Sequence, residues 1–243
     1  GSFKTGTCVN IAAAAMAGGK FVAWASYEGE EPAILFRLGR RAARISKHAI
    51  RDVPFAQLRT SLLRNRPIGG EVAVKYFSRR KAGVDEVEAW LAALTARGRR
   101  PDMLIVDYAD KMAPPGRHFE RHDLALSAIY DELSGLSREF PGGPGGRKGL
   151  AVVTPSQVKH GAFGKRIVSM ADLAGAVDKA AIADVILPIC QTKWEREQSP
   201  PVMRLFRAKI REAENLGFAW FAQHKDAMTL EEIPPVDIPE HAL

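Results

Sequence analysis

The sequence predicts an α/β domain with a mostly parallel central sheet, flanking helices, and antiparallel strands at its C-terminal end. Apolar runs of strand length alternate with helix-length amphipathic segments over the first two-thirds of the chain, which is typical of βαβ units. In the last third, apolar runs follow one another closely, which favours antiparallel pairing. We expect one main domain over residues 1–230 and an irregular tail, rich in proline and acid, over residues 231–243.

Each element rests on its own pattern of apolar residues. Helical spacing and glycine stops predict helices over residues 5–19, 34–46, 55–64, 84–97 and 124–140. Buried-type runs predict strands over residues 21–27, 72–77, 103–106 and 150–154. Beyond these we expect a short helix over residues 173–181 and strands over residues 185–189, 203–208 and 218–222.

Composition limits the classes of protein that this chain can represent. Of 243 residues, 46% are hydrophobic and 26% are charged, so a packed core is expected. The net charge of +7 favours a polyanionic partner, nucleic acid or nucleotide, although a solvated basic surface has the same composition. Cys8 and Cys190 have no partners at metal-ligand spacing, which favours a reducing, cytoplasmic setting.

The chain shows no targeting or membrane signal. Its apolar runs are too short to span a bilayer, so we expect no membrane partner. No signal peptide is recognisable, and because the first residue is not methionine we expect the natural protein to begin further upstream.

The N-terminus has the pattern of a truncated phosphate-binding loop that leads into a helix. Backbone N–H groups would surround phosphates, Lys4 would contact the β and γ oxygens, and Thr5 would place a hydroxyl on Mg²⁺. Phe3 stands where glycine is usual, and by itself the motif is no stronger than a chance Lys-Thr pair at a helix start. The candidate nucleotide-binding residues are Gly1, Ser2, Phe3, Lys4, Thr5 and Gly6.

Two strands end in carboxylates. Asp107 follows the buried run 103–106, at the sheet edge where α/β proteins bind ligands, and could hold Mg²⁺. Glu28 follows the strand 21–27 and could orient an attacking water. Position alone does not distinguish Glu28 from Glu30 and Glu31, which could equally form a solvated acidic loop.

Two polar signals lie further along the chain. Gln157 follows the strand 150–154, where an amide could contact a γ-phosphate or belong to an ordinary loop. Strand alternation predicts that Arg207, Lys209 and Arg211 share one face. Such cations would suit the phosphates of a neighbouring subunit, or could protect a basic edge strand from aggregation.

In this order, the signals resemble the C-terminal ATPase domain of DnaB-family replicative helicases of the phage and plasmid type. Glu28 is similar to the family's catalytic glutamate, the Asp107–Tyr108 pair to its Walker B end, and Ser156–Gln157 to its sensor. The stretch from residue 171 to 185 and the Lys209–Arg211 pair are similar to later family motifs, and the resemblance covers residues 1–225.

The resemblance implies a RecA-like P-loop NTPase that works as a hexameric 5′–3′ DNA helicase with ATP and Mg²⁺. ATP would lie between subunits, with Lys4, Thr5, Glu28, Asp107 and Gln157 on one side, and Lys209 and Arg211 reaching in from the next subunit. Single-stranded DNA would pass through the ring, and a primase or helicase loader would be a further partner. The expected DNA-binding residues are Arg117, Arg121, Lys159, Lys165, Arg166 and Gly175.

Several residues depart from the family pattern. Phe3 replaces the P-loop glycine, Ala174-Gly175-Ala176 replaces a charged DNA-contacting stretch, and the Asn-Gly after the finger is missing. Two alternatives therefore stay open: another RecA-like ATPase, such as a recombinase or regulatory ATPase, or a nucleic-acid-binding module with a degenerate ATP site.

Overall fold

The computed structural model describes residues 3–49, 70–116, 119–142, 144–146, 148–173, 178–211 and 217–237. The central sheet has four parallel strands in the order β2-β1-β3-β4. They are β1 (Phe21–Ser26), β2 (Glu71–Tyr76), β3 (Met103–Asp107) and β4 (Ala151–Val153). All six residues of β1 are buried because it is a central strand between two helical layers.

Four long helices cover the two faces of this sheet. They are α1 (Lys4–Ala17), α2 (Glu31–Ala43), α3 (Val84–Ala96) and α4 (His122–Glu139). Successive side chains of β1 point to opposite faces, so Val22 and Trp24 pack with α1 and α2, whereas Ala23 and Ala25 pack with α3 and α4. The two apolar clusters form a three-layer α/β/α core.

Shorter elements follow in the C-terminal third. A four-stranded antiparallel sheet has the order β10-β9-β7-β6, and a second small sheet pairs β5 with β8. The strands are β5 (Val185–Ile186), β6 (Ile189–Cys190), β7 (Val202–Phe206), β8 (Lys209–Ile210), β9 (Phe218–His224) and β10 (Thr229–Ile233). The short helices are α5 (Asp178–Ile182) and α6 (Lys193–Glu197).

The antiparallel sheet is attached to the P-loop side of the molecule by side-chain hydrogen bonds. Asn10 of α1 donates to the Met228 carbonyl at 2.9 Å and accepts from the Leu230 backbone N–H at 3.0 Å. Arg40 of α2 donates to the Asp226 carbonyl at 2.9 Å. The hairpin of β9 and β10 therefore contacts both helices that flank β1.

The predicted elements agree with this architecture except in the last third. Residues 185–189 form parts of two strands in different sheets, and residues 231–233 belong to β10, so the irregular tail predicted from residue 231 is wrong there. The predicted helix over residues 55–64 lies outside the described residues. None of the described helices is long and apolar enough to cross a membrane.

Candidate functional site

The carboxyl ends of β1 and β3 bring the two predicted carboxylates to the same edge of the sheet. Ser26 lies opposite Asp107 in the parallel register, and the Tyr27 N–H donates to the Asp107 carbonyl at 2.8 Å. Glu28 follows directly, and Arg79 holds its segment by donating to the Tyr27 carbonyl at 2.6 Å. Strand geometry alone therefore places Glu28 beside Asp107.

Thr5 and Asp107 form a direct contact between the start of α1 and the end of β3. The Thr5 hydroxyl donates a hydrogen bond to the Asp107 carboxylate, which is only 3% exposed. Burial raises the pKa of Asp107, and Glu28 raises it further, while the Thr5 hydrogen bond and the charges of Arg37 and Lys4 oppose that shift. A hydroxyl beside a carboxylate is an oxygen pair of the kind that Mg²⁺ takes together with phosphates and water.

This pair is sparse as a metal site. Within the described ranges, no group of three or more His, Cys, Asp or Glu side chains could hold a metal ion. That agrees with Mg²⁺ sites in nucleotide-dependent enzymes, where one or two protein ligands are completed by substrate phosphates.

Lys4 lies in the same electrostatic environment. Burial lowers the pKa of its ammonium group, and the charges of Glu28, Asp110 and Asp107 act in the opposite direction. Its Nζ is 5.0 Å from the centroid of the Tyr108 ring, within cation–π range. The Lys4 ammonium is therefore close to both strand-end carboxylates.

The structure distinguishes among the three glutamates that the sequence left open. Glu28 is the largest charge acting on Lys4, and it also acts on Asp107. Glu31 instead accepts a hydrogen bond from the Tyr76 backbone N–H at 3.0 Å, and Glu30 is the N-cap residue of α2. Of these three glutamates, Glu28 is therefore the one that belongs to the environment of Lys4 and Asp107.

Phe3 and Gly6 show how the P-loop departs from its usual pattern. Phe3 precedes α1 with φ 51° and ψ 26°, a left-handed conformation that glycine adopts without penalty and other residues adopt at a cost of about 1–2 kcal/mol. Its ring lies over Gly6, where an added Cβ would be 2.4 Å from the ring carbons. Gly6 therefore accommodates the ring of Phe3, and Gly1 and Ser2 lie outside the described residues.

Gln157 lies beside the end of β3. Its Nε2 donates to the Tyr108 hydroxyl at 3.0 Å, and the Ala109 N–H donates to Thr154 Oγ1 at 3.0 Å. Tyr108 thus contacts Gln157 through its hydroxyl and Lys4 through its ring. The predicted sensor and the P-loop lysine are joined by one aromatic side chain.

A second polar network lies next to Tyr108. Lys179 is 3% exposed, and its Nζ is 2.7 Å from Asp110 Oδ1 and 3.4 Å from Ser156 Oγ. The Tyr130 hydroxyl donates to the same Asp110 oxygen at 2.8 Å. This network connects α5 to the segments that follow β3 and β4.

Lys209 and Arg211 contact the segment around α5 in the same chain. Lys209 Nζ donates to the Ala180 carbonyl at 2.7 Å and the Ala181 carbonyl at 3.0 Å, and Arg211 pairs with Asp184 at 2.9 Å. The expectation of a single cationic strand face is wrong, because β7 ends at Phe206 and Arg207 lies against Gly217. Lys209 and Arg211 nevertheless lie on one side, since both contact residues 180–184.

The predicted DNA-binding residues are dispersed. Arg121 is paired with Asp123 at the start of α4, Lys159 donates to the Ala171 carbonyl at 2.8 Å, and Lys165 is 2.6 Å from Asp172. Arg166 is exposed on the same loop as the two lysines. Arg117 and Gly175 lie outside the described residues.

Comparison with solved structures decides the fold. The solved ATPase domain of a helicase matches with a TM-score of 0.76 and 17% identity, over 96% of this chain and 82% of that one. The fold is that of a RecA-like ATPase domain. A DnaB-like replicative helicase, described together with its interactions with primase, matches with a TM-score of 0.75 and 17% identity over 93% of this chain.

This chain spans 55% of the length of that DnaB-like helicase. No protein-family model matches the sequence. No curated protein matches it significantly either. The RecA-like fold thus rests on three-dimensional similarity, which persists at an identity too low for those sequence searches.

Sequence reasoning missed Asp110 and Lys179 as parts of the site region. They are 69 positions apart, and nothing in the local pattern of either residue predicts their pairing. Arg79 was also missed, because an arginine just after a strand is ordinary without knowledge of the backbone it contacts. Asp110 alone had a usable signal, since it follows Asp107 by three residues.

Proposed function

We propose that this chain is the motor domain of an ATP-driven helicase that moves on single-stranded DNA as a hexameric ring. The observation that carries the proposal is the Thr5–Asp107 hydrogen bond, with the charges of Lys4 and Glu28 at the same sheet edge. In phosphoryl transfer the protein mainly positions groups and stabilises charge, and these are the residue types that this requires. The motor domain extends over residues 1–230, with β10 continuing its last sheet.

In this proposal each residue has one task at the ATP phosphates. Lys4 contacts the β and γ oxygens, Thr5 and Asp107 hold Mg²⁺, Glu28 orients the attacking water, and Gln157 senses the γ-phosphate. The α1 N-terminus, with residues 1–6, surrounds the phosphates with backbone N–H groups. Mg²⁺ would supply neutralisation of the charge that develops on the phosphate oxygens.

Lys209 and Arg211 complete the site of the adjacent subunit. Their contacts with residues 180–184 hold them at one place on the surface, as a finger acting in trans requires. Movement is 5′–3′, a primase or helicase loader is the further partner, and the site of action is the cytoplasm of a bacterial or phage-infected cell. The loop cations Arg117, Arg121, Lys159, Lys165 and Arg166, with Gly175, contact the DNA backbone.

Turnover of ATP by Lys4→Ala tests the proposal. Loss of the ammonium should lower kcat at least about 100-fold, because its charge is absent where negative charge develops. Lys20→Ala is the matched control, since Lys20 has an exposed side chain paired with Asp102 and should retain full activity and DNA stimulation. Full activity of Lys4→Ala would contradict the P-loop assignment.

A mixing experiment tests the shared site. Subunits with Arg211→Ala and subunits with Lys4→Ala should each be inactive alone and recover some hydrolysis when mixed, because some interfaces then contain both intact halves. No recovery at any ratio would contradict the trans role. A non-catalytic module, which the conformation of Phe3 would favour, predicts DNA binding without turnover in the unmodified protein.

A further inference from the structure

The loop between Val158 and Leu173 is a small structured unit with an aromatic side chain on its outside. An antiparallel bridge between Val158 and Leu173 closes the loop, and the Lys159 N–H donates to the Asp172 carbonyl at 2.8 Å. Ala162 and Val168 are buried against Cys190 in a local apolar cluster. The backbone of the loop is therefore anchored on both sides of its tip.

Phe163 projects from this anchored backbone into solvent. It is 59% exposed, the highest value among the large hydrophobic residues that the structure describes as exposed. The residue before it, Ala162, is only 2% exposed. Because its neighbour is packed and the ring is not, the exposure of Phe163 is a property of the loop's shape.

The space around the Phe163 ring is open. Gly161 and Gly164 flank the Ala162–Phe163 pair, and a Cβ added at either glycine would meet no atom within 4 Å. Gly164 has φ +81°, so a side chain there would be strained as well as exposed. The His160 ring lies 5.7 Å from the Phe163 ring at 73°, an edge-to-face contact that orients it.

The charges around this ring favour a polyanion over an apolar protein surface. Residues 158–171 contain Lys159, Lys165 and Arg166 and no aspartate or glutamate. Asp172, which follows, is paired with Lys165 at 2.6 Å, and this contact lowers its pKa to about 2, so it stays ionised and bound to that lysine. Ligands with both a negative backbone and flat apolar faces match cations that alternate with an aromatic ring.

We propose that Phe163 is a stacking platform for a base of single-stranded DNA, with Arg166 and Lys159 beside it on the phosphates. The inference deepens the proposed function and rests on it, since it assigns base stacking to a loop otherwise expected to contact only phosphates. Stacking on an aromatic face tolerates any base sequence, as a motor that moves along DNA requires.

The test compares two oligonucleotides of equal length on the full-length protein with a non-hydrolysable ATP analogue at fixed salt. One is oligothymidylate, and the other has the same phosphate backbone with stable abasic linkers. Fluorescence anisotropy should show that Phe163→Ala weakens binding of oligothymidylate by about 5- to 150-fold while the abasic affinity stays unchanged. Phe163→Trp should keep the base-dependent affinity, and Phe163→Leu, which is apolar without an aromatic face, should lose it.

Ile167→Ala is the matched control, because Ile167 is exposed on the same loop at 46% and has no aromatic face. It should bind both oligonucleotides as the unmodified protein does. Equal losses on both oligonucleotides, no loss with Phe163→Ala, or a smaller oligomer in that variant would each overturn the stacking role. If the unmodified protein binds neither oligonucleotide, the DNA function fails along with the stacking role; if it binds both and Phe163→Ala changes nothing, only the stacking role fails.

Discussion

Charged side chains lie buried in two regions of the molecule, and the two regions compensate them differently. In the antiparallel sheet, Arg204 and Glu195 are 1% and 0% exposed and form a two-point pair, with Nη2 to Oε2 at 3.0 Å. At the edge of the parallel sheet, Asp107 has a raised pKa and Lys4 a lowered one, because burial outweighs the stabilisation each receives. One region has satisfied its charges, and the other has not.

The satisfied pair is built from several elements. Thr192 caps α6, its backbone N–H donating to Glu195 Oε2 at 2.6 Å, and the Arg204 guanidinium lies 4.8 Å from the Phe218 ring and 5.3 Å from the Trp220 ring. Both charged groups there have partners within the chain, which is the pattern of a structural site. Perturbed, incompletely compensated groups at a sheet edge are instead typical of a site that awaits a ligand.

The largest effect should come from breaking the satisfied pair. Arg204→Met leaves the Glu195 carboxylate buried without its partner, which should lower the free energy of unfolding by about 3–5 kcal/mol. Urea unfolding measures this, with Arg196→Met as the control because Arg196 is exposed on α6. Equal effects of the two substitutions would contradict the comparison, and adding Glu195→Leu to Arg204→Met should recover most of the lost stability.

Asp107→Asn should have the opposite effect on stability. Burial raises the folded-state pKa of Asp107, so the stability linked to its protonated form is present at low pH and is lost as pH rises from the ordinary carboxyl range through the folded pKa. A neutral amide removes that loss, so the unfolding free energy at pH 7 should rise by about 0.5–2 kcal/mol. ATP turnover should fall by about 100- to 1000-fold.

Exposed Asp131 on α4 is the matched control for this charge change. Asp131→Asn should alter neither turnover nor stability. A loss of stability in Asp107→Asn at pH 7, with a stability difference that does not depend on pH, would show that Asp107 is a satisfied structural residue like Glu195.

The smallest effect concerns the contact of Phe3 with Gly6. Gly6→Ala places a methyl group where the Phe3 ring lies, so it should destabilise the protein by about 1–3 kcal/mol. The same substitution should cost less in a Phe3→Gly background, where no ring is present. Thermal unfolding of the two single variants and the double variant measures the coupling, and strictly additive effects would contradict the contact.

Sequence patterns sufficed for the parallel sheet and for the residues at its edge. Asp107 and Glu28 each follow a buried strand, and parallel strands meet at one edge, so their proximity followed from the pattern. The choice of Glu28 over Glu30 and Glu31 required the turn after β1, which sends Glu31 to Tyr76. The break between β7 and β8 was also missed, because residues 207–211 have the alternation of one continuous strand.

The sequence by itself determined the α/β class and the order of the candidate P-loop, strand-end carboxylates, sensor and finger residues, because these depend on local periodicity and on strand ends. Only the tertiary structure decided which charges are compensated. Lys179 meets Asp110 across 69 positions, Arg204 meets Glu195 inside a sheet, and Phe163 stays exposed beside a buried Ala162. Burial and pairing depend on distant segments, and they separate a structural charge from one that is left to bind a ligand.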